Sequence, residues 1–451
     1  MQEYLVRLVQ VHESFRKAEL RALAEIAGVN LEIISYHEDS PFCIIRLPSP
    51  SSAATFISRS VLSQGIYELW GQGTSYASLH SSVQHQSSQK WTQYKDTPFR
   101  FTLDTFRGTR TSSQQRETIE SFSYLDFQGP IRMKNPELEM IVFEDFDDKA
   151  PEPKTLYLGR FIAHSGRQAK TTYDLKKRHY ISTTSMDAEL AILTANLALS
   201  GPGKLFYDPF MGTAGFPLAC AHFGATVFGS DIDGRSIRGT GGASRKNAQN
   251  GKKDVLGNFE QYGLGDRYLG AFVGDLTNTP VRGVGVGGRG GWIDGIVCDP
   301  PYGVREGLKV LGPRERLREE ERQTHQDRYK EPTYIPPKRP YSFTALLDDI
   351  LQFSAELLVE GGRLAMWMPS ANDEDVELAI PRHECLELVS VCVQPFSKWS
   401  RRLLTYRRLA GRECRVKEEE RVKREYAGGR SADELNDFRR KYFEGFRELE
   451  R

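Results

Sequence analysis

The chain has 451 residues, 39% of them hydrophobic, and 61 basic against 60 acidic side chains leave a net charge of +1. That length holds roughly two or three domains with ample material for a buried core, and the near-zero balance excludes a polycation, so any nucleic-acid surface must be a local patch. The six cysteines, Cys43, Cys220, Cys298, Cys385, Cys392 and Cys414, form no C-x-x-C pair, which argues against a metal site or disulfide framework and for a reducing, cytoplasmic setting.

The opening MQEYLVRLVQVHESF alternates like a strand and carries acids, unlike a secretory or mitochondrial leader. No run reaches membrane-spanning length. Residues 3 to 66 read strand, helix, strand, strand, helix: EYLVRLVQV, FRKAELRALAEIAG closed by Gly28, LEIISYH, FCIIRLP and a helical SSAATFISRSVLSQ, a split β-α-β pattern. From about 67 to 165, alternating stretches predict strands at 100–107, 120–127, 138–146 and 156–164, which suggest an α+β module. Its Arg100, Arg107, Arg110, Arg132, Lys134, Arg160 and Arg167 are either a phosphate-contacting face or ordinary solvated surface.

Residues 171 to 185, TTYDLKKRHYISTTS, place Lys176, Lys177 and Arg178 beside Tyr180 and a run of hydroxyls. They read as a linker leading into a helix at MDAELAILTANLAL, with Asp187 and Glu189 at its positive end and a leucine-rich body that belongs in a core. LFYDPFMGTAGFPLACA (205 to 221) is a strand with Asp208 at its end, a glycine turn and a small-residue helix, the first β-α step of a nucleotide-binding sheet. Gly212 and Gly215 let the backbone approach a ligand closely. ATVFGSDID then ends in Asp231 and Asp233, AFVGDLTN in Asp275 ahead of a glycine-rich run at 283–291, and GWIDGIVCDPPYG in Asp299.

Four successive strands therefore each end in an acid, on the sheet edge where α/β folds bind ligands. There is no full G-x-G-x-x-G and no Walker lysine, so a pyrophosphate cofactor fits poorly. S-adenosylmethionine fits better, because ribose hydroxyls, an adenine amine and a cationic sulfonium with its amino group all favour acids. The two prolines after Asp299 end their strand, since neither donates to a ladder. Asp299, the Pro300 carbonyl and the Tyr302 ring then form an acceptor cluster suited to a planar base held by its exocyclic amine. The alternative reading is a plain turn in which Asp299 caps a helix and Tyr302 covers the core.

Residues 304 to 341 interrupt the sheet with a mixed-charge insert, either disordered or a lid. Arg305, Lys338 and Arg339 flank the acceptor strand, facing RNA phosphate or solvent. Residues 342–362 predict an amphipathic helix stopped by glycines, GRLAMWMP the next buried strand, and HECLELVSVCVQPF with RRLLTYRRLAG the closing antiparallel strands of a seven-stranded sheet. The charged tail from 412 has a capping box from Ser431 to Glu434 and a stripe of Leu435, Phe438, Tyr442, Phe446 and Leu449.

Asp-Pro-Phe-Met-Gly-Thr-Ala-Gly at 208–215, the strand ends at Asp231 and Asp275, and Asp-Pro-Pro-Tyr at 299–302 resemble the amino-methyltransferases that act on exocyclic nitrogens of nucleobases. Tyr-Asp-Leu-Lys-Lys-Arg-x-Tyr-Ile at 173–181 and Thr-Ser-Met-Asp-Ala-Glu-Leu at 184–190 narrow the resemblance to the THUMP-containing catalytic subunits of eukaryotic tRNA guanosine-10 N2-methyltransferases. It runs from the first strand to about residue 410; Ala214 and Gly215 depart from it, standing where that family usually has glycine then serine. The resemblance implies a ferredoxin-like domain (1–66), a THUMP RNA-binding module (67–170), a Rossmann-like α/β methyltransferase domain (171–411, with the insert at 304–341) and a helical tail (412–451).

It also implies the site. Asp299, Pro300, Pro301 and Tyr302 would be catalytic. Asp208 and Gly212 would hold the methionine part of S-adenosylmethionine, Asp231 its ribose and Asp275 its adenine, with Phe210, Thr213, Ile232 and Leu276 beside them. Arg160, Lys176, Lys177, Arg178 and Arg305 would meet the tRNA. A small zinc-binding activator subunit is the implied partner. An adenine-N6 amino-methyltransferase, or an RNA-binding scaffold that keeps the fold without activity, are the competing functions.

Overall fold

The protein is described by a computed structural model over residues 1–182, 184–240, 243–244, 253–281, 283, 291–304, 308–311, 337–371, 380–397 and 399–411. Arg305, most of the 304–341 insert, most of the glycine-rich run and the tail stripe lie outside these described residues. The chain divides into two compact units, Met1–Ala169 and Lys170–Arg451.

In the first unit β1 (Gln2–Leu8), β2 (Glu32–Tyr36), β3 (Phe42–Leu47), β4 (Ser63–Gly73), β5 (Phe99–Phe106), β6 (Leu138–Asp145) and β7 (Thr155–His164) form one sheet in the order β2-β3-β1-β4-β7-β6-β5. Four helices accompany it: α1 (Glu13–Ala27), α2 (Pro50–Ile57), α3 (Tyr76–Trp91) and α4 (Ser112–Glu120). Alternation sets the two faces. Along β6, Leu138, Met140 and Val142 join a core with Trp70, Leu79 and Phe122, whereas Ile141 and Phe143 join another with Leu5, Phe42 and Tyr157.

The helix expected to run through residue 64 ends at Ile57, a turn follows, and from Ser63 the chain belongs to β4, which crosses position 66/67. Glycine decides this segment. A Cβ on Gly71 would stand 2.8 Å from the Val83 amide, and one on Gly73 would stand 2.4 Å from that of Leu79, so α3 lies directly against β4. Residues 120–127 are not the predicted strand: α4 ends there and a 3-10 turn at Ser123–Leu125 drops Phe122 and Leu125 into the core.

In sequence α5 (Gln168–Thr172) comes next, then β8 (Tyr180–Ile181), which pairs with β11 (Ala243–Ser244). The main sheet of the second unit holds β9 (Leu205–Asp208), β10 (Thr226–Asp231), β12 (Tyr268–Val273), β13 (Ile293–Cys298), β16 (Leu358–Ala371), β17 (Leu386–Pro395) and β18 (Trp399–Arg408). A separate ribbon pairs β14 (Lys309–Leu311) with β15 (Lys338–Pro340). The order is β12-β10-β9-β13-β16-β18-β17, the first five parallel and β18 antiparallel to both its neighbours. This is the expected seven-stranded α/β sheet, and its order reverses between β9 and β13, the switch point at which such sheets open a ligand crevice.

Helices α6 (Ala188–Leu197), α7 (Gly215–His222), α8 (Gly234–Arg238), α9 (Val255–Gln261) and α10 (Phe343–Leu357) surround that sheet. Leu346, Leu347, Ile350 and Leu351 of α10 pack on Ile293, Ile296, Leu364 and Met366. All ten residues of α6 are buried, and the Trp367 indole donates to Thr194 Oγ1 at 3.0 Å. The glycines expected to stop α10 do something else: β16 begins at Leu358, and Gly361 and Gly362 sit where its pairing with β13 slips register. No helix among the described residues is long and apolar enough to cross a membrane.

Candidate active site

The turn after β9 is stitched to the end of β10. Asp208 Oδ1 accepts from the Phe210 amide at 2.9 Å, the Met211 amide donates to the Ser230 carbonyl at 2.9 Å, and the Gly212 amide donates to Asp231 Oδ2 at 2.8 Å. Asp231 Oδ1 takes a second backbone bond, from the Asp233 amide at 2.8 Å. Gly229 makes the close approach possible, because a Cβ there would stand 2.9 Å from the Asp208 carbonyl and 2.6 Å from Met211 Sδ. Gly212 turns with φ +50°, and open space lies where its Cβ would be. Ala214 follows with φ 64° while fully buried, a left-handed alanine that costs about 1–2 kcal/mol against a glycine.

The stretch before α6 is part of this turn rather than a linker. Ser185 Oγ and Thr213 Oγ1 lie 2.9 Å apart. Asn258, fully buried, donates to the Thr213 carbonyl at 3.2 Å and the Tyr180 carbonyl at 2.8 Å, and accepts from the Tyr180 amide at 3.1 Å. Sequence reasoning missed Asn258; its only signal is a buriable amide between Val255 and Phe259 on a short helix.

Burial pushes the Asp208 carboxyl well above the usual carboxylate range, and the neighbouring Asp231 and Asp299 carboxylates add to this. Burial also raises Asp231, against the two amide bonds that favour its ionised form. Asp275 is buried and accepts from the Thr277 amide at 2.9 Å and the Leu311 amide at 2.6 Å, so β14 is fastened to the end of the β12 connection. Leu276 is buried beside it, while Phe210 and Ile232 are half-buried.

Asp299 follows β13 directly. The Tyr302 hydroxyl donates to its Oδ1, and Arg401 Nη1 lies 3.8 Å from its Oδ2. Burial raises the Asp299 carboxyl, while the Tyr302 bond and the Arg401 charge pull it down. Pro300 is buried and Pro301 exposed. The Tyr302 ring meets the edge of Trp399 at 6.3 Å, and Trp399 stacks on Phe396 at 4.5 Å, both at the β17–β18 hairpin tip. None of Arg401, Phe396 and Trp399 was picked out from sequence, because the register that brings β18 to this edge is non-local.

The basic residues expected at RNA divide. Lys176 and Lys177 are exposed. Arg178 is buried, 1% exposed, and its Nη1 stands 3.8 Å from where a Gly215 Cβ would be, so it underlies the α7 turn and offers no face to a phosphate. Arg160 belongs to the first unit, where it pairs with buried Glu68 at 2.7 Å and lies over the Tyr94 ring, an internal strut. Among the described residues no three His, Cys, Asp or Glu side chains are placed to hold a metal ion.

A family model described as the Tmrp11 THUMP N-terminal domain matches residues 2–167. The tRNA (guanine(10)-N(2))-methyltransferase of Saccharomyces cerevisiae is 43% identical over 418 residues, covering 90% of this chain and 93% of its own. That of Schizosaccharomyces pombe is 35% identical over 445 residues, covering 91% and 90%. Among solved structures, TrmN from Thermus thermophilus aligns at 15% identity with a TM-score of 0.41, over 90% of this chain and all of its own. Relatives 43% and 35% identical over nine-tenths of both chains mean that the chain belongs to the tRNA (guanine(10)-N(2))-methyltransferase family.

Proposed function

We propose that this chain transfers a methyl group from S-adenosylmethionine to the exocyclic N2 of guanosine 10 in tRNA. The observation that carries the reading is Asp299-Pro300-Pro301-Tyr302 at the end of β13, one strand from the Asp208 turn at the sheet's switch point. The residues fit the cofactor: Gly212 leaves open space over its turn, and the Asp208 and Asp231 carboxylates, raised by burial, gain from a positively charged ligand. Asp208 and Gly212 would hold its methionine part with Phe210 and Thr213, Asp231 and Ile232 its ribose, and Asp275 and Leu276 its adenine. When bound, it supplies an electrophilic methyl group.

What the chain supplies is alignment. The Asp299 carboxylate and the Pro300 carbonyl accept N–H bonds from the guanine amine, which turns the nitrogen lone pair toward the methyl group. Pro301 fixes the turn and the Tyr302 ring covers the base. A paired guanosine must leave its stack to enter, at a cost of a few kcal/mol. Asp299→Ala is expected to lower the rate on the order of 100-fold while cofactor affinity stays within a few-fold; unchanged methylation by that variant would remove Asp299 from the mechanism.

Lys176 and Lys177 are the proposed phosphate contacts. The implied zinc-binding activator is proposed to sit on β12, which pairs only with β10 among the described strands. There Leu269 (66% exposed), Val273 (53%) and Trp292 (41%) leave an apolar margin beside an unpaired backbone edge. The five described cysteines are buried thiols outside any disulfide, which supports a cytoplasmic site of action; finding the tagged chain in the secretory pathway would refute it.

A further inference from the structure

The acceptor of the proposed reaction is a carboxylate half-sunk in protein, and its environment divides into what would neutralise it and what keeps it charged. Desolvation works toward the protonated form. The Asp208 carboxyl at the end of β9, itself buried and raised partly by Asp299, is the acid that faces it from that strand. A protonated Asp299 has one oxygen given over to a donor and accepts from an amine less strongly. On its own strand Cys298 is neutral and fully buried. In the turn, the Tyr302 hydroxyl already donates to Oδ1. From β18 comes Arg401, facing Oδ2.

Arg401 is unusually well fixed for a surface-edge arginine. Its guanidinium lies 4.8 Å over the ring of Trp367, a fully buried residue that is itself tied to Thr194. Gln394 Oε1 accepts from both Nε, at 3.1 Å, and Nη2, at 2.6 Å. Strand pairing enforces the placement, since Arg401 is opposite Pro369 on β16 and Gln394 on β17. Two sides of the fork are therefore spent on orientation, and Nη1 stands 3.8 Å from Asp299 Oδ2, with the guanidinium also acting on the Tyr302 hydroxyl that donates to the same carboxylate. A planar, permanently charged group held this way cannot be replaced by a flexible ammonium without loss of aim.

We propose that Arg401 is a positioning residue for methyl transfer: clamped by Trp367 and Gln394, it keeps the Asp299 carboxylate charged and turned so that the substrate amine meets an ionised acceptor. The proposal rests on Asp299 being the acceptor of the amine. Removing the guanidinium lets burial raise the carboxyl further, so the acid limb of the rate profile moves to higher pH.

The test is the pH dependence of kcat for the full-length chain, purified with its proposed activator, from pH 5.5 to 9.5 for wild type, Arg401→Gln and Asp299→Asn. The expected result is an Arg401→Gln rate that falls progressively further below wild type as the pH is lowered and recovers to within a few-fold at about pH 9, with KM for tRNA little changed. Asp299→Asn should be slow at every pH. An Arg401→Gln rate that equals wild type, or falls by one constant factor at all pH values, overturns the role of Arg401 while leaving Asp299 in place. An Asp299→Asn enzyme as fast as wild type overturns the acceptor itself. If Arg401→Gln does not fold, Arg401→Met, which keeps the packing on Trp367, is read by the same criterion.

Discussion

Ala214 is where this chain departs from the sequence pattern it otherwise follows, and the structure shows what the departure does. The residue is left-handed, a conformation that glycine adopts freely, and it is the N-cap of α7 in the turn proposed to hold the cofactor. Relief of left-handed strain, about 1–2 kcal/mol, would be offset in Ala214→Gly by a freer unfolded chain and by loss of a buried methyl group, each roughly 0.5–1 kcal/mol. Urea unfolding should therefore put Ala214→Gly within about 1 kcal/mol of wild type and Ala214→Val more than about 2 kcal/mol below it, since a β-branched side chain cannot turn left-handed without clash. Equal stability of all three would mean the turn is not held as described. The alanine at 214 was legible from sequence as a departure, but the sign of φ there was not. The same limit applies to arginine: Arg178, Arg160 and Arg401 look alike in a sequence, and only packing makes the first a buried strut, the second a partner of Glu68 and the third a neighbour of Asp299.

At the scale of elements, the strands that end in acids were legible because a buried parallel strand is a short apolar run and an acid after it marks the ligand edge. What escaped was structure written in few residues. Helix α3 buries only Leu79, Val83 and Ser87 among polar neighbours, a single narrow row that carries no strong period. Residues 120–127 alternate in polarity, yet they finish α4 and form a 3-10 turn that carries Phe122 and Leu125 into the core, a placement decided by packing and not by the alternation. The glycines at 361 and 362 read as a helix stop and serve as a bulge. Strand β12 is the element on which the proposed partner depends, because an unpaired edge beside exposed apolar side chains invites strand addition. Leu269→Asp is expected to abolish co-purification of the activator and lower the soluble yield, with the folded chain otherwise intact. A variant that still co-purifies the activator at wild-type level would place the partner elsewhere.

For the molecule as a whole, a net charge of +1 means that tRNA cannot be held by overall attraction, so the contacts must be few and local. Replacing Lys176 and Lys177 together by glutamine should weaken tRNA binding and reduce the slope of log affinity against log salt by roughly 1–2, leaving kcat at saturating tRNA nearly unchanged; an unaltered slope would exclude both as phosphate contacts. The N-terminal unit, matched by a THUMP family model over residues 2–167, and the acid-edged sheet that follows it were both visible in outline from sequence. Their internal registers were not, because pairing across a sheet joins residues distant in the chain. The central claim is that Asp299 presents the guanine amine for methylation, and mapping the product tests it most directly. Unmodified tRNA is incubated with methyl-labelled cofactor and either wild-type chain or Asp299→Ala, then digested and read by mass spectrometry. The account predicts label on N2 of guanosine 10 with wild type, and a rate lower by on the order of 100-fold with the variant at similar cofactor affinity. Label on another nucleotide, or an undiminished rate from the variant, would contradict it.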